Sequence, residues 1–451
     1  MNILLTMIFA VNLSLTSGIE TRFYKNDGVR LIEETDLNAW IGNFALGLNY
    51  SLFHPETSMA FQRRLGILKG FIETHNDNVL LRVGTAYTTF GRGLLLYAAR
   101  DDVLKMDRFV NGLYLEVSKG AALLKGIGGI SKLYIDHKLQ EDSTNLIIGA
   151  DATVNVIEGA QLGGSLLEAR DVKGFKTNYY SVRTDIAGKN LAFYFEFGAR
   201  TGYNKTILAE KNGYADYLSV SYSTESFGVV AEFRDYWLFG KEYGIPPTLN
   251  KSGIYLNNAM DERAFALTLN LEPIDFYTIG LNLSKLYSTG YFGPKSELKE
   301  INFQNQFQGE SRFAELDLNY LKITGGNVAI GVSRREEIDP QLDFGLRNSG
   351  IEWELFLRNR KRDDDGVKYT DRDVALTLGF PGNYDITFTI QDRSGDLSDK
   401  WSNIEFKGQI FDNFSLILTV GSMRGDFVCS GGICRYEPEF NGVILKAVIV
   451  F

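Results

Sequence analysis

Apolar and polar residues alternate with a period of two along most of the chain, from about Trp40 to the last residue. In residues 383–391, Tyr384, Ile386, Phe388 and Ile390 interleave with Asp385, Thr387, Thr389 and Gln391. Leu191, Phe193, Phe195 and Phe197 interleave with Ala192, Tyr194, Glu196 and Gly198, and Phe265, Leu267, Leu269 and Leu271 with Ala266, Thr268, Asn270 and Glu272. Ala314, Leu316, Leu318 and Tyr320 interleave with Glu315, Asp317 and Asn319. A period of two puts each set on one face, so every strand has an apolar side and a polar or small side.

A soluble sandwich would show the same alternation, so the connections discriminate. Short ones at Glu158-Gly159, 188–190, 224–226, Pro273-Ile274, 325–327, 381–383 and Asp412-Asn413 take turns with longer polar ones near 135–143, 201–212, 237–262, 287–309, 361–370, 393–400 and 424–440. Transmembrane barrels have short periplasmic turns and long external loops, which is this asymmetry. The expected fold is all-β: an antiparallel up-and-down transmembrane β-barrel over residues 40–451, with about 22 strands (20–24) of the ~10-residue type. Residues 335–350 must be split into a loop, a short strand and a turn to keep the count even and both termini periplasmic.

Composition supports this class. Gly (46), Phe (31) and Tyr (23) are abundant and Pro (8) is scarce, a balance that favours pleated surfaces over helices. No stretch beyond the N-terminus is apolar for long enough to span a membrane as a helix, but a closed barrel spans by pairing every backbone group. The expected location is therefore the bacterial outer membrane, with lipid as the first partner. The net charge of −9 comes from 56 acidic and 47 basic residues without a basic patch, so nucleic acid is not an expected partner.

Residues 1–18 have an apolar stretch over 3–11 and small or polar residues through Ser17-Gly18, the layout of a signal peptide. No Lys or Arg precedes that stretch and no Ala-x-Ala follows it; the other readings are a first strand or a wrongly chosen start codon. Residues 19–39 are then a short periplasmic or lumenal segment, too short for a plug domain.

Residues 88–96, Thr-Thr-Phe-Gly-Arg-Gly-Leu-Leu-Leu, break the alternation and lead through Ala99-Arg100-Asp101-Asp102 to Asp107-Arg108. Glycines let a backbone turn sharply or approach other groups closely. One reading is a loop folded into the lumen, with Phe90, Gly91, Arg92, Gly93, Asp101 and Asp102 at a constriction whose charges set a local field. The other, here preferred, is a strand continuing into an ordinary outer loop. Glu196, Glu232, Arg234, Glu315, Asp317, Glu352, Glu354 and Arg358 lie on polar strand faces and should form the lumen wall, because a charge facing lipid at mid-bilayer costs ~2–4 kcal/mol. They could select ions or bind a polar solute, or simply form a hydrated wall.

Cys429 and Cys434 flank Ser-Gly-Gly-Ile, and outside the cytosol such a pair most simply forms a disulfide. Zinc would need two more ligands, with no His nearby, so neither metal nor cofactor is expected. His54, His75 and His137 fall in separate connections, with no partner fixed by local spacing; an enzyme is not expected.

Val443, Leu445, Ala447, Ile449 and the terminal Phe451 share one face. That ending resembles the signal, carried here by Ile449 and Phe451, by which the barrel-assembly machinery recognises bacterial outer-membrane barrels, and implies that machinery as a partner. The Phe-Gly-Arg-Gly-Leu-Leu-Leu segment resembles one in a poorly characterised family of bacterial outer-membrane β-barrels. So does Gly-Gly-Ile-Cys-Arg, followed by Pro438, Phe440-Asn441-Gly442 and a final Phe. The resemblance implies one domain of unknown function over nearly the whole mature chain, a barrel fold and an outer-membrane location, and supplies no activity.

Barrels of roughly 16 or more strands leave a lumen that is open or must be plugged. The leading expectation is a porin-like channel or transporter for a polar or amphipathic solute. The alternative is a plugged or structural barrel acting through its outer loops as a surface receptor, adhesion or assembly component. A lumen lined by charge and left unblocked favours the first; one filled by residues 90–106 with ordered outer loops favours the second. Fold alone does not decide between them.

Overall fold

A computed structural model of the chain describes residues 11–25, 28–54, 64–102, 105–135, 138–140, 144–204, 209–240, 242–257, 260–291, 295–327, 331–348, 350–430 and 433–451. Among these, 24 long strands form one closed antiparallel sheet with no helix. Each strand pairs with its neighbours in sequence, and the last closes on the first, Thr16–Tyr24 running against Val450–Gly442. Leu15 and Phe451 exchange two backbone hydrogen bonds at the end of this seam, at 3.0 and 2.7 Å. The count stands at the top of the expected 20–24.

The alternation explains which face points where. Apolar side chains of one parity stay exposed on the outside: in the strand Phe44–His54, Phe44 (61%), Leu46, Leu48 and Tyr50 all face out. An exposed apolar band of this continuity needs a lipid solvent, and only closed barrels or helices satisfy the backbone there. The C-terminal face follows the same rule, with Leu445 and Phe451 exposed outward.

Several expectations are corrected. The segment 19–39 is not a lumenal or periplasmic extension: residues 19–24 and 28–39 lie in two barrel strands, Val11–Tyr24 and Gly28–Ile41. The expected signal-peptide boundary at 18 falls inside the first of these, which pairs from Val11 with Ile41 to Tyr24 with Gly28; residues 1–10 lie outside the described residues. The outward face here carries Glu33 and Thr35 among its apolar residues, which hides the period. Residues 297–308, placed in an outer loop, are the strand Glu297–Gln308, masked because Leu298 points inward and is fully buried. Residues 335–350 need no split, since Val332–Asn348 is one strand, and 325–327 ends a strand at the outer rim instead of forming an inner turn. The long outer loop expected at 361–370 is a turn at 365–366 between Ile351–Asp364 and Val367–Phe380: the charged run 358–364 stays in the sheet beyond the apolar band.

Candidate functional site

The described residues of 87–105 fold into the lumen, contrary to the preferred reading of an ordinary outer loop. Phe90, Leu94, Leu95 and Leu96 are at most 1% exposed. Burying each such side chain contributes ~1.5–3 kcal/mol, more than an outer loop could gain by staying in water. The turn is closed by Phe90 N–H donating to Leu96 O and Gly93 N–H to Phe90 O, both at 3.0 Å. Gly91 (φ +57°) is required twice, by its left-handed backbone and because a Cβ there would sit 2.6 Å from the Glu196 carboxylate.

Arg92 ends on the barrel wall. Its guanidinium stacks over the Tyr194 ring at 3.9 Å and donates to Tyr217 Oη at 3.1 Å. Tyr194 donates to Glu196 at 2.6 Å and Tyr217 to Glu232 at 2.5 Å. Asp101 and Asp102 are elsewhere, lining a cavity of ≈ 380 Å³ with Glu20, Glu34, Arg100, Lys105 and Lys446. Arg92 and the two aspartates therefore form no common constriction.

A second outer segment, the described residues of 238–260, packs on the first. Tyr97 N–H donates to Tyr243 O and Ile245 N–H to Gly93 O, both at 2.9 Å. Gly244 allows the approach, since a Cβ there would meet Leu94 O at 2.2 Å. Two buried arginines and an exposed lysine hold this segment to the wall: Arg200 donates to Leu238 O at 2.9 Å, Arg234 to Pro247 O at 2.6 Å and to Glu262, and Lys251 to Asp317. Glu262 in turn accepts from the Leu256 and Asn257 amides at 2.9 and 3.2 Å. Burial pushes the Tyr243 and Tyr255 phenols above their ordinary range, so both stay neutral, as buried polar groups must.

The apolar packing is one-sided. Both buried clusters, with their flanking residues, draw only on positions between Leu80 and Val332. The remaining wall carries ion pairs: Arg362 with Glu337 at 2.6 Å, Arg360 with Asp371 at 2.7 Å, Arg393 with Asp371 at 2.6 Å, and Arg358 with Asp339. A third outer segment docks here, the hairpin Asp426–Ser430 and Ile433–Glu437. Arg424 binds Asp373 at 2.9 Å, Asp426 binds Arg360 at 2.5 Å, and Lys105 of the first segment lies 3.6 Å from Glu437. Burial pushes the Asp426 carboxyl up, but Arg360 and Arg362 outweigh it and hold it below the usual carboxylate range.

All eight expected wall residues take the lumenal register. Beyond those described, Glu315 accepts from Gln304 at 2.6 Å, Glu352 pairs with Arg347 at 2.6 Å, and Glu354 stands opposite Thr377. Sequence reasoning missed Arg200, Glu262, Arg360, Asp371 and Asp426. It also missed 238–260 as a lumenal segment, although its apolar residues Leu238, Phe239, Ile254, Tyr255 and Leu256 gave the same signal as 88–96. His75 ends a strand near an inner turn; the His54 side chain and His137 lie outside the described residues. The Cys429 and Cys434 backbones face each other across the outer hairpin, and their side chains also lie outside the described residues.

Residues 17–244 match the model of a family described as a family of unknown function, DUF6029. No curated protein matches the sequence. The chain is similar in structure to the siderophore receptor PirA from Pseudomonas aeruginosa (TM-score 0.54, 9% identity, 98% of this chain and 80% of that one). It is also similar to the copper transporter OprC (0.51, 8%, 98% and 80%) and to an E. coli P pilus tip assembly intermediate, PapC-PapD-PapK-PapG (0.57, 10%, 97% and 60%). At these identities the likeness is one of fold, that of large outer-membrane barrels.

Proposed function

We propose that this chain, which belongs to the DUF6029 family of unknown function, is an integral outer-membrane channel or transporter for a polar or amphipathic solute, narrowed by its own outer segments. One observation carries the reading: among the described residues both buried apolar clusters pack against the wall between Leu80 and Val332, while ion pairs line much of the remaining inner wall. A 24-strand circumference exceeds that of the 16–18-stranded porins, which already enclose an aqueous channel. The chemistry assigned to it is passage, not catalysis.

A second reading, a surface receptor or assembly component, is favoured by the tethering of three outer segments to the lumen wall. Planar-bilayer conductance separates the two. We expect small discrete steps from the native chain, and steps several-fold larger when residues 242–254 are replaced by a short Gly-Ser linker. A folded barrel, verified by heat-modifiable mobility, that stays silent in both forms would replace the transport reading with the surface one. Two finer readings belong here: an export leader whose apolar stretch is 3–11, checked by the N-terminal mass of the membrane-inserted protein, and a disulfide between Cys429 and Cys434.

A further inference from the structure

The barrel wall has one weak seam. The strands Arg64–His75 and Val79–Ala86 pair over only five residues, Phe71–His75 against Gly84–Leu80. Other neighbouring strands in the ring pair over eight or more, as Asn403–Phe411 does with Phe414–Gly421. Above this row, residues 64–70 have no strand partner on that side among the described residues. The Gly70 amide instead donates to the Thr85 hydroxyl at 3.3 Å.

The seam opens because the next three strands bend inward at a row of glycines. Gly84 and Gly112 are in register, as are Gly112 and Gly129. A Cβ on Gly84 would lie 2.2 Å from Gly70 O, one on Gly112 2.0 Å from Gly128 O, and one on Gly129 2.2 Å from Asn111 O. Such backbone contact admits no side chain, and glycines are a recognised device for bending a sheet. Gly84 also has φ +112°. Beyond the row, Tyr87 and Asp107 reach the lumenal side of the wall: Lys69 binds Asp107 at 2.5 Å and lies 3.5 Å from Tyr87 Oη.

Register shows what the bend exposes. Val83 and Leu113, level with each other below the kink, face lipid and are 54% and 51% exposed. Residues two and four further along the same faces are Thr85 and Tyr87, and Asn111 and Phe109. Thr85 and Tyr87 line a cavity of ≈ 310 Å³ together with Leu48, Phe71, Lys69, Asp36 and Arg100, and Phe109 is 1% exposed. The inner parity is continuous too, since Leu80, Ala86, Val110 and Tyr114 belong to one buried cluster. The face that touches lipid below the glycine row therefore becomes the wall of a lumenal cavity above it.

The level of the opening matters. Gly70 stands opposite Leu48, and Leu68 opposite Tyr50, both within the exposed apolar band. A lipid-exposed sheet edge does not occur in hydrocarbon unless it lines a water-filled cavity. We propose that this seam is a lateral portal through which an amphipathic molecule passes between the lumen and the bilayer, its apolar chain in the seam and its head group in the cavity behind. The two cavities share Asp36 and Arg100, so the path runs from Leu48, Gly70 and Phe71 to a strongly polar chamber. Most charges in that chamber are already paired, Lys69 with Asp107, Arg100 with Glu34 and Asp102, Glu20 with Arg22 and Lys105 with Glu437. The head group it suits is uncharged and hydrogen-bonding. This rests on the transport reading and adds a direction and a solute class.

The test uses the full chain in lipid nanodiscs with a long-chain alkyl glucoside bearing a diazirine in its tail. After photolysis, adducts are expected to concentrate on Leu48, Phe71 and Tyr87, and to fall at least tenfold in Gly70→Trp, whose side chain fills the seam. Gly228→Trp, at an uncrowded position, should leave them unchanged. Labelling spread evenly over the lipid face, or insensitive to Gly70→Trp, overturns the portal. If Gly70→Trp does not fold, hydrogen exchange of the native chain decides: amides of 66–70 on the open edge should exchange faster than the paired amides of 44–50, and equal protection overturns the proposal. Failure with conductance intact removes the portal alone; failure together with electrical silence in both native and loop-replaced chains removes the transport reading as well.

Discussion

Arg92 shows what one side chain does in this lumen. A guanidinium stacked on Tyr194 and bonded to Tyr217 combines a cation–π contact of up to ~2 kcal/mol with a hydrogen bond of ~1 kcal/mol. Arg92→Ala should therefore loosen residues 87–105 without unfolding the barrel, seen as noisier, larger single-channel currents with unchanged heat-modifiable mobility. An unaltered current would mean that the segment is held by its leucines alone. Asp426 belongs to this scale too. Its folded pKa is depressed, so its stabilising contribution is fully present above the unfolded value of about 3.9 and is lost only as pH falls below it. The outer hairpin should stay docked from pH 8 to pH 5, with current independent of this pair; release between pH 5 and 7 would contradict it. Side chains such as Arg92 were legible as unusual in the sequence, because glycines on both sides of an arginine fit no strand. Their partners were not, since Tyr194 and Tyr217 are more than a hundred residues away.

At the scale of the element, strands were legible where one face is consistently apolar and opaque where it is not. The strands Leu191–Asn204 and Tyr384–Gly395 follow the period plainly. Glu297–Gln308 does not, because its inner face includes Leu298 and its outer face Lys299 and Asn305. The outer ends misled for another reason: strands continue beyond the apolar band, where water accepts any outward residue, so charged runs such as 358–364 are sheet. The hairpin Asp426–Ser430 and Ile433–Glu437 places Cys429 opposite Cys434. A disulfide closing so short a loop contributes about 2 kcal/mol in the chain-entropy account. Alkylation of the unfolded chain should find both thiols blocked until a reductant is added; free thiols in protein taken from an oxidising compartment would rule the bridge out.

For the whole molecule, closure is the decisive feature. The first strand contributes one complete seam to the last strand and another to the second. A chain lacking residues 11–18 loses eight of the fourteen residue pairs with the second strand and three of the nine with the last, and leaves an edge that lipid cannot satisfy. We expect it to fail to give a heat-modifiable band and to be degraded, whereas removal of residues 1–10 alone should leave the barrel intact. If the shorter chain closes normally, the first strand is dispensable and the ring is not held by that register.

The sequence by itself determined the class of this protein. A period of two with one apolar face, spread over most of 451 residues, has few solutions other than a lipid-facing barrel, because the pattern is set locally by the pleat. It also determined that the polar parity would face the lumen, since charge in hydrocarbon is too costly. What only the tertiary structure decided is everything that depends on the ring being closed: the exact set of strands, the inward course of 87–105 and 238–260, the charge ladder that docks the last hairpin, and the seam beside residues 64–70. Those features arise between residues distant in the chain, whose contacts depend on where neighbouring strands bend, and periodicity along one strand carries no record of that.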